Sequence, residues 1–136
     1  VFERLNANPK GFFAMVECAY PDWGGHGNKP DFSAGGVLMT DFLVRQALDF
    51  AMKHKDTLVV VTADHETGGI SVSPNRNDAK NPHIYYNGTG HSGAPVAVFA
   101  FGPGSAFFNG VINNIDIPRH FSKLWNLKTG LDSEIK

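Results

Sequence analysis

Carboxylate and imidazole side chains recur at three places in this sequence, each beside turn-forming residues. They are Glu17, Asp22, His26, Asp64, His65 and His91. Oxygen and nitrogen ligands without a thiolate suit zinc, or zinc beside a harder cation such as magnesium. Taken singly, each group is a weak signal, and a histidine in a glycine-rich loop is usually only a loop residue. Together the three groups predict a metal site.

Two apolar runs are placed to bring these groups together. Residues 58–62 and 12–16 each form a short apolar run, followed at once by Asp64 with His65 and by Glu17 respectively. The runs are typical of buried strands. Residues 33–53 separate them with apolar positions mostly three and four apart, which predicts a helix with Ser33 as its N-cap. A strand–helix–strand crossover makes the strands parallel, so their carboxyl ends and loops meet at one sheet edge.

The remaining segments predict connections and one more strand and helix. Residues 19–31, rich in Gly, Pro, Asn and Asp, indicate an irregular loop. Residues 73–93 indicate a long loop, either plain or with a small hairpin. Residues 96–101 predict a third strand, Asp116 begins a closing helix, and the tail from Lys128 is expected to fray. The fold class is therefore α/β, a partial αβα sandwich with a mostly parallel sheet.

Composition narrows the class of protein. The chain has 136 residues, 42% of them hydrophobic, a formal net charge of -1 and a single cysteine, Cys18. This is the size of one domain, and no apolar run is long enough to cross a bilayer. Without a Lys/Arg cluster, neither nucleic acid nor an anionic membrane is an expected partner. No disulfide can form within the chain.

Three stretches resemble the C-terminal part of a bacterial alkaline phosphatase. They are T-L-V-V-V-T-A-D-H-E-T-G-G (57–69), N-P-K-G-F-F-A-M-V-E-C-A-Y-P-D-W-G-G-H-G-N (8–28) and T-G-H-S-G-A-P-V-A-V-F-A-F-G-P-G (89–104). The resemblance covers nearly the whole chain, with the motifs in the family's order. It implies a site for two zinc ions and one magnesium ion. Residues 1–136 are then expected to be a single unit, the C-terminal portion of an alkaline phosphatase-like domain that begins inside an element.

The resemblance also implies a role for each candidate residue. Asp22, His26 and His91 correspond to the ligands of the first zinc, Asp64 and His65 to ligands of the second, and Glu17 to the acidic ligand of magnesium. No catalytic residue is expected in this chain, because the family's Ser/Thr nucleophile belongs to the N-terminal half. Cys18 departs from the small residue usual there and is expected to be either a packed core thiol or a thiol close enough to the magnesium ligand to affect it. Glu66 and Thr67 are either partners of the zinc ligands or part of a solvated turn.

The expected function is phosphomonoester hydrolysis of the alkaline phosphatase type, with the isolated chain nearly inactive. The alternatives are a related phosphomutase or phosphodiesterase and a non-catalytic metal- or phosphate-binding module. The implied partners are a phosphate monoester substrate and a second copy in a homodimer. The implied location is periplasmic or extracellular.

Overall fold

The computed structural model describes residues 1–128, in which four helices and six short strands alternate with turns. The helices are α1 (Phe2–Asn6), α2 (Tyr20–His26), α3 (Pro30–Lys53) and α4 (Asp116–Leu124). The strands are β1 (Val59–Thr62), β2 (Glu66–Thr67), β3 (Ser71–Ser73), β4 (His83–Tyr85), β5 (His91–Ser92) and β6 (Val98–Phe101), and a 3₁₀ turn covers Ser105–Phe108. Most of the tail expected to fray lies outside these residues.

The segment predicted as an irregular loop contains helix α2 and the start of α3. Pro21 and Asp22 lie in the first turn of α2, where proline needs no amide partner and a carboxylate favours the helix dipole. Helix α3 likewise begins at Pro30, after Lys29, so the prediction of Ser33 as its N-cap was wrong. The Ser33 hydroxyl instead forms a hydrogen bond of 3.1 Å with the Tyr86 hydroxyl.

Glycines allow α2 and α3 to pack backbone against backbone. A Cβ atom on Gly24 would lie 2.5 Å from the Ser33 amide nitrogen, and one on Gly36 would lie 2.6 Å from the Pro21 ring. Side chains larger than hydrogen cannot fit at such distances. In the sequence these glycines suggest a loop, but in the structure they allow a close contact between two helices.

All strand pairing among the described residues is antiparallel. Strands β1 and β6 pair with Val60 opposite Ala100, β2 pairs with β5, and β3 with β4. The last pair is the small hairpin that the sequence allowed for. The expected parallel neighbours are not found in this part of the chain, because β1 has β6 as its partner and the chain reverses between them. Strand β1 is half-buried rather than enclosed on both faces, and Thr62 at its end is exposed.

Residues 12–16 were predicted to be a buried strand, but the described structure shows no strand there and leaves most of the run exposed. Within residues 1–128, no backbone hydrogen bond joins them to a neighbouring strand. Met15 is 86% exposed, and Phe13 and Val16 are also exposed. Phe13 nevertheless contacts the rings of Phe121 and Trp125 in and after α4, at 5.7 Å in each case. An apolar run alone does not make a strand, because each strand needs a partner for its backbone groups.

The enclosed core of the described residues is small. Phe50 and Ala51 at the end of α3 and Phe108 in the 3₁₀ turn are the buried apolar residues there. The Phe50 ring contacts the rings of Phe2 and Phe12 at 5.5 and 6.0 Å, which ties α1 to α3. The search of the described helices found none long and apolar enough to cross a membrane.

Candidate metal centre

Helix α2 and strand β5 bring three candidate ligands to one point. Asp22 and His26 are four residues apart, one helical turn, and their Oδ1 and Nε2 atoms lie 3.5 Å apart. His91 joins them from β5, with its Nε2 atom 3.8 Å from Asp22 Oδ1 and 3.2 Å from His26 Nε2. Asp22 is half-buried, whereas the two imidazoles are exposed. The structure thus assembles one carboxylate and two imidazoles from residues 65 positions apart.

The spacing of these three atoms fits a small divalent cation. A tetrahedral zinc ion with bonds of about 2.0–2.2 Å holds its ligand atoms about 3.3–3.5 Å apart. The separations in the structure, 3.2, 3.5 and 3.8 Å, lie on both sides of that range. A point equidistant from the three atoms lies about 2.0 Å from each, which is a zinc–ligand bond length. Three protein ligands would leave a fourth position open, as in catalytic zinc sites.

Hydrogen bonding fixes the ring orientation of His26. Its Nδ1 atom lies 2.5 Å from the Thr89 carbonyl oxygen, which can only accept, so Nδ1 carries the proton and donates. In the neutral imidazole the lone pair is therefore on Nε2, the atom that faces Asp22 and His91. Metal-binding histidines typically donate their second ring N–H to a carbonyl or carboxylate in this way.

The short β2–β5 pair places His91. Thr67 lies opposite His91 and Glu66 opposite Ser92. The Gly68 N–H donates to the Gly90 carbonyl at 2.9 Å and continues this pairing by one step. Gly68 and Gly69 both have positive φ, 89° and 59°, which permits the tight turn after Thr67. The turn that the sequence suggested is therefore part of the scaffold for His91.

Asp64 and His65 lie beside this trio. They follow β1 directly, and Asp64 Oδ2 lies 3.3 Å from His65 Nε2. The His65 ring stacks on that of His91 with centroids 3.5 Å apart. The structure therefore brings the strand-end pair next to the other three predicted residues. Asp64 is exposed and His65 half-buried.

Thr67 is the residue that links the two groups, and the sequence left its role undecided. Its hydroxyl donates to Asp22 Oδ1 at 2.6 Å and lies 3.2 Å from His65 Nδ1. Its side chain is buried, with 8% of the residue exposed. Residues 65 and 67 fall on the same side of an extended chain, which is the signal that could have favoured this role.

Glu66 is held by hydrogen bonds, but its partners are turn and strand residues rather than the candidate ligands. Its carboxylate accepts hydrogen bonds from the Ser92 hydroxyl, from the Ile70 N–H at 3.0 Å and from the Gly69 N–H at 3.1 Å. The Ser92 and Ile70 donors hold the pKa of the Glu66 carboxyl below its ordinary value. This carboxylate fastens the turn after His65 to the residue that follows His91.

Glu17 and Cys18 stand apart from the assembled ligands. Glu17 is exposed and forms no hydrogen bond or ion pair with another described residue. The half-buried Cys18 thiol points to the Gly36 carbonyl oxygen, 3.6 Å away in α3. Cys18 is thus a packed thiol, while the structure does not bring Glu17 into contact with the other five candidates.

Comparison with known proteins identifies the family. The family model described as alkaline phosphatase matches residues 1–85, more than half of the chain. The chain belongs to the alkaline phosphatase family. Alkaline phosphatase 4 of Bacillus subtilis is 29% identical over 197 residues, covering 94% of this chain and 42% of that protein. Alkaline phosphatase of Escherichia coli K12 is 33% identical over 134 residues, covering 85% of this chain and 28% of that protein.

Solved alkaline phosphatases share the fold. The enzyme from the Antarctic bacterium TAB5 matches with a TM-score of 0.85 and 33% identity, over 93% of this chain and 39% of that one. A variant of it, solved with Mg bound in its M3 site, matches with a TM-score of 0.86. The resemblance stated from the sequence motifs is therefore confirmed, as is the α/β class. The chain spans about two fifths of the TAB5 enzyme and of the B. subtilis relative.

Proposed function

We propose that this chain supplies the metal-binding part of a phosphomonoester hydrolase of the alkaline phosphatase type. The observation that carries the proposal is the meeting of Asp22 Oδ1, His26 Nε2 and His91 Nε2 within 3.8 Å of one another. Family membership supplies the reaction class. The relatives named above are alkaline phosphatases, so a phosphate monoester is the proposed substrate.

Two ligand sets follow from the arrangement. Asp22, His26 and His91 would hold the first zinc, while Asp64 and His65 would give two ligands to the second. Two zinc ions held there would polarise a phosphoryl oxygen and lower the pKa of a coordinated hydroxyl or water. The contribution of this chain is to orient its ligands. The Thr89 carbonyl holds His26, and the Thr67 hydroxyl holds Asp22 and His65.

Glu17 is proposed as the acidic ligand of magnesium. Its carboxylate is free of competing partners among the described residues, and oxygen is the ligand that magnesium prefers. The TAB5 variant with Mg bound supports a magnesium ion in this family. Because Glu17 does not contact the other candidates, we expect further ligands from polypeptide outside this chain to complete that position.

The nucleophile and the remaining sheet are proposed to come from polypeptide beyond these 136 residues. No serine or threonine here occupies the nucleophile's motif. The exposed run that contains Phe13, Met15 and Val16 has apolar side chains and unpaired backbone groups, as an inner strand without its neighbours would have. We propose that it completes a mostly parallel sheet within a single α/β domain. A periplasmic or extracellular location and a homodimer are proposals that rest on the family alone.

Zinc titration tests the metal site. Isothermal titration calorimetry of the chain should detect tight zinc binding, and His91→Ala should weaken it by more than about 100-fold, beyond the loss typical of an outer-shell change. His83→Ala is the matched control, because His83 is an exposed strand histidine that lies beside the Tyr85 ring and is not one of the candidate ligands. Equal zinc affinity of the two variants would contradict the proposed site.

A non-catalytic metal- or phosphate-binding module is the second candidate, since the nucleophile's motif is missing. Mixing the chain with the N-terminal part of an alkaline phosphatase separates the two functions. Hydrolysis of p-nitrophenyl phosphate that appears only in the mixture, and not with His91→Ala, supports the hydrolase. Assembly of a stable, zinc-loaded complex without hydrolysis supports the module.

A further inference from the structure

The Thr67 hydroxyl lies between the two candidate ligand sets and contacts one member of each. Thr67 Oγ1 is 2.6 Å from Asp22 Oδ1 of the trio and 3.2 Å from His65 Nδ1 of the strand-end pair. Only 8% of the residue is exposed, so water does not compete freely for the hydroxyl. A Cβ on Gly25 would lie 2.6 Å from the Thr67 carbonyl oxygen, which shows how closely α2 covers this residue.

The direction of the two hydrogen bonds is fixed by the number of protons. A hydroxyl carries one proton, and an ionised carboxylate can only accept, so Thr67 donates to Asp22. Thr67 Oγ1 then has only lone pairs for His65, and His65 Nδ1–H must be the donor in that contact. The neutral His65 ring is left with its lone pair on Nε2, the atom that faces Asp64 Oδ2. The result is a directed chain from His65 through Thr67 to Asp22.

We propose that Thr67 is a positioning residue that couples the two metal ligand sets through this chain. The inference rests on the proposed function, because it takes both residue sets to be metal ligands whose orientation matters. A cation drawn toward His65 Nε2 makes the Nδ1–H a better donor, and each bond in such a chain polarises the next. Occupation of the strand-end pair therefore favours the hydrogen-bonded orientation of Asp22, and the trio favours the metal-ready tautomer of His65. The two ions are expected to bind cooperatively.

The first test removes the hydroxyl while keeping the shape of the side chain. Thr67→Val should weaken zinc binding about 10–100-fold, the usual loss for an outer partner of a ligand, and Thr67→Ser should restore it. Thr40→Val is the matched control, since the Thr40 hydroxyl donates to the Gly36 carbonyl in α3 and contacts no candidate ligand. Unchanged zinc affinity in folded Thr67→Val, or an equal loss in Thr40→Val, overturns the inference.

The second test reads the His65 tautomer directly. Long-range ¹H–¹⁵N correlation spectra of the metal-free wild-type chain should show His65 protonated on Nδ1, and Thr67→Val should shift the ring toward the Nε2–H form. The wild-type spectrum alone decides this point if the valine variant does not fold. A wild-type His65 protonated on Nε2 contradicts the proposed chain.

The third test measures the coupling itself. Zinc binding at the trio is monitored through the NMR signals of the His26 and His91 rings. His65→Ala should weaken this binding in the wild-type background and should have a smaller effect in the Thr67→Val background. Additive losses overturn the coupling. His91→Ala separates this failure from failure of the metal site. Unchanged zinc affinity in His91→Ala contradicts the proposed function, whereas weakened zinc binding in His91→Ala together with additive Thr67 effects contradicts the coupling alone.

Discussion

Replacing Gly25 by alanine should separate the two surfaces that build the candidate metal centre. Gly25 is buried in α2, and an added Cβ would lie 2.6 Å from the Thr67 carbonyl oxygen and 3.0 Å from the Thr67 carbonyl carbon. Both are backbone atoms of β2, so no side chain can rotate away. Helix α2 and strand β2 must move apart by several tenths of an ångström.

The size of the effect follows from two opposing contributions. Overpacking of a close contact costs about 1–3 kcal/mol, whereas Gly→Ala within a helix stabilises by about 0.5–1 kcal/mol. We expect Gly25→Ala to lose about 1–2 kcal/mol of unfolding free energy. Gly35→Ala in α3 is the matched control, because a Cβ there meets no atom within 4 Å. It should gain about 0.5–1 kcal/mol, since only the helix contribution remains.

Urea unfolding at 25 °C, with equal m-values, measures this difference. Zinc affinity should fall as well in Gly25→Ala, because α2 carries Asp22 and His26 while β2 pairs with the strand of His91. Gly35→Ala should bind zinc as the wild type does. The reasoning is refuted if Gly25→Ala is as stable as Gly35→Ala and binds zinc with unchanged affinity.

The other predictions concern the isolated chain, a carboxylate and the core. The chain alone should hydrolyse p-nitrophenyl phosphate at no more than a feeble rate, and ordinary enzyme rates in a pure sample would contradict the assignment of the nucleophile elsewhere. The Asn113 N–H and the Arg119 guanidinium lower the pKa of Asp116, so its stabilising effect should be present above about pH 4 and disappear as pH falls through the folded-state pKa. Asp116→Asn should therefore lower the melting temperature at pH 7 and have a smaller effect at pH 2; a constant difference would argue against this origin. Phe108→Ala should cost about 3–5 kcal/mol because the ring is buried, whereas fully exposed Val111→Ala should change stability by less than about 0.5 kcal/mol, both measured by urea unfolding.

Local patterns in the sequence predicted several elements but not their pairing. The helix over most of Pro30–Lys53, the strand before Asp64 and the helix that begins at Asp116 all follow from periodicity and end signals. Helix α2 was missed, because two glycines and a proline in seven residues normally indicate a loop. Their value is in packing, since Gly24 and Gly25 let the backbone approach α3 and β2. This packing depends on residues that are distant in the sequence, so a local sequence pattern cannot reveal it.

The predicted parallel sheet is not seen in the described residues, and the physical reason is general. Strand pairing forms hydrogen bonds between backbone groups that are far apart in the sequence. The apolar run at residues 12–16 predicts burial, but it does not indicate which strand would pair with it. In the described residues β1 takes β6 as its antiparallel partner, and the 12–16 run has none. The chain covers 39% of the TAB5 enzyme, so about three fifths of the length of that enzyme has no counterpart in this sequence.

The residue types in the sequence suggested the site, but the position of His91 in it could not be derived from them. The register of β2 and β5 explains why. Asp22 and His26 are close through one helical turn and Asp64 and His65 through adjacency, so each pair is visible in sequence. His91 joins them only because it lies opposite Thr67. Side chains alternate along a strand, so a slip of one residue would turn His91 to the other face and put Ser92 in its place. Glu66, bonded to Ser92 and to the turn after Thr67, opposes that slip, and the site therefore depends on a carboxylate that need not bind metal at all.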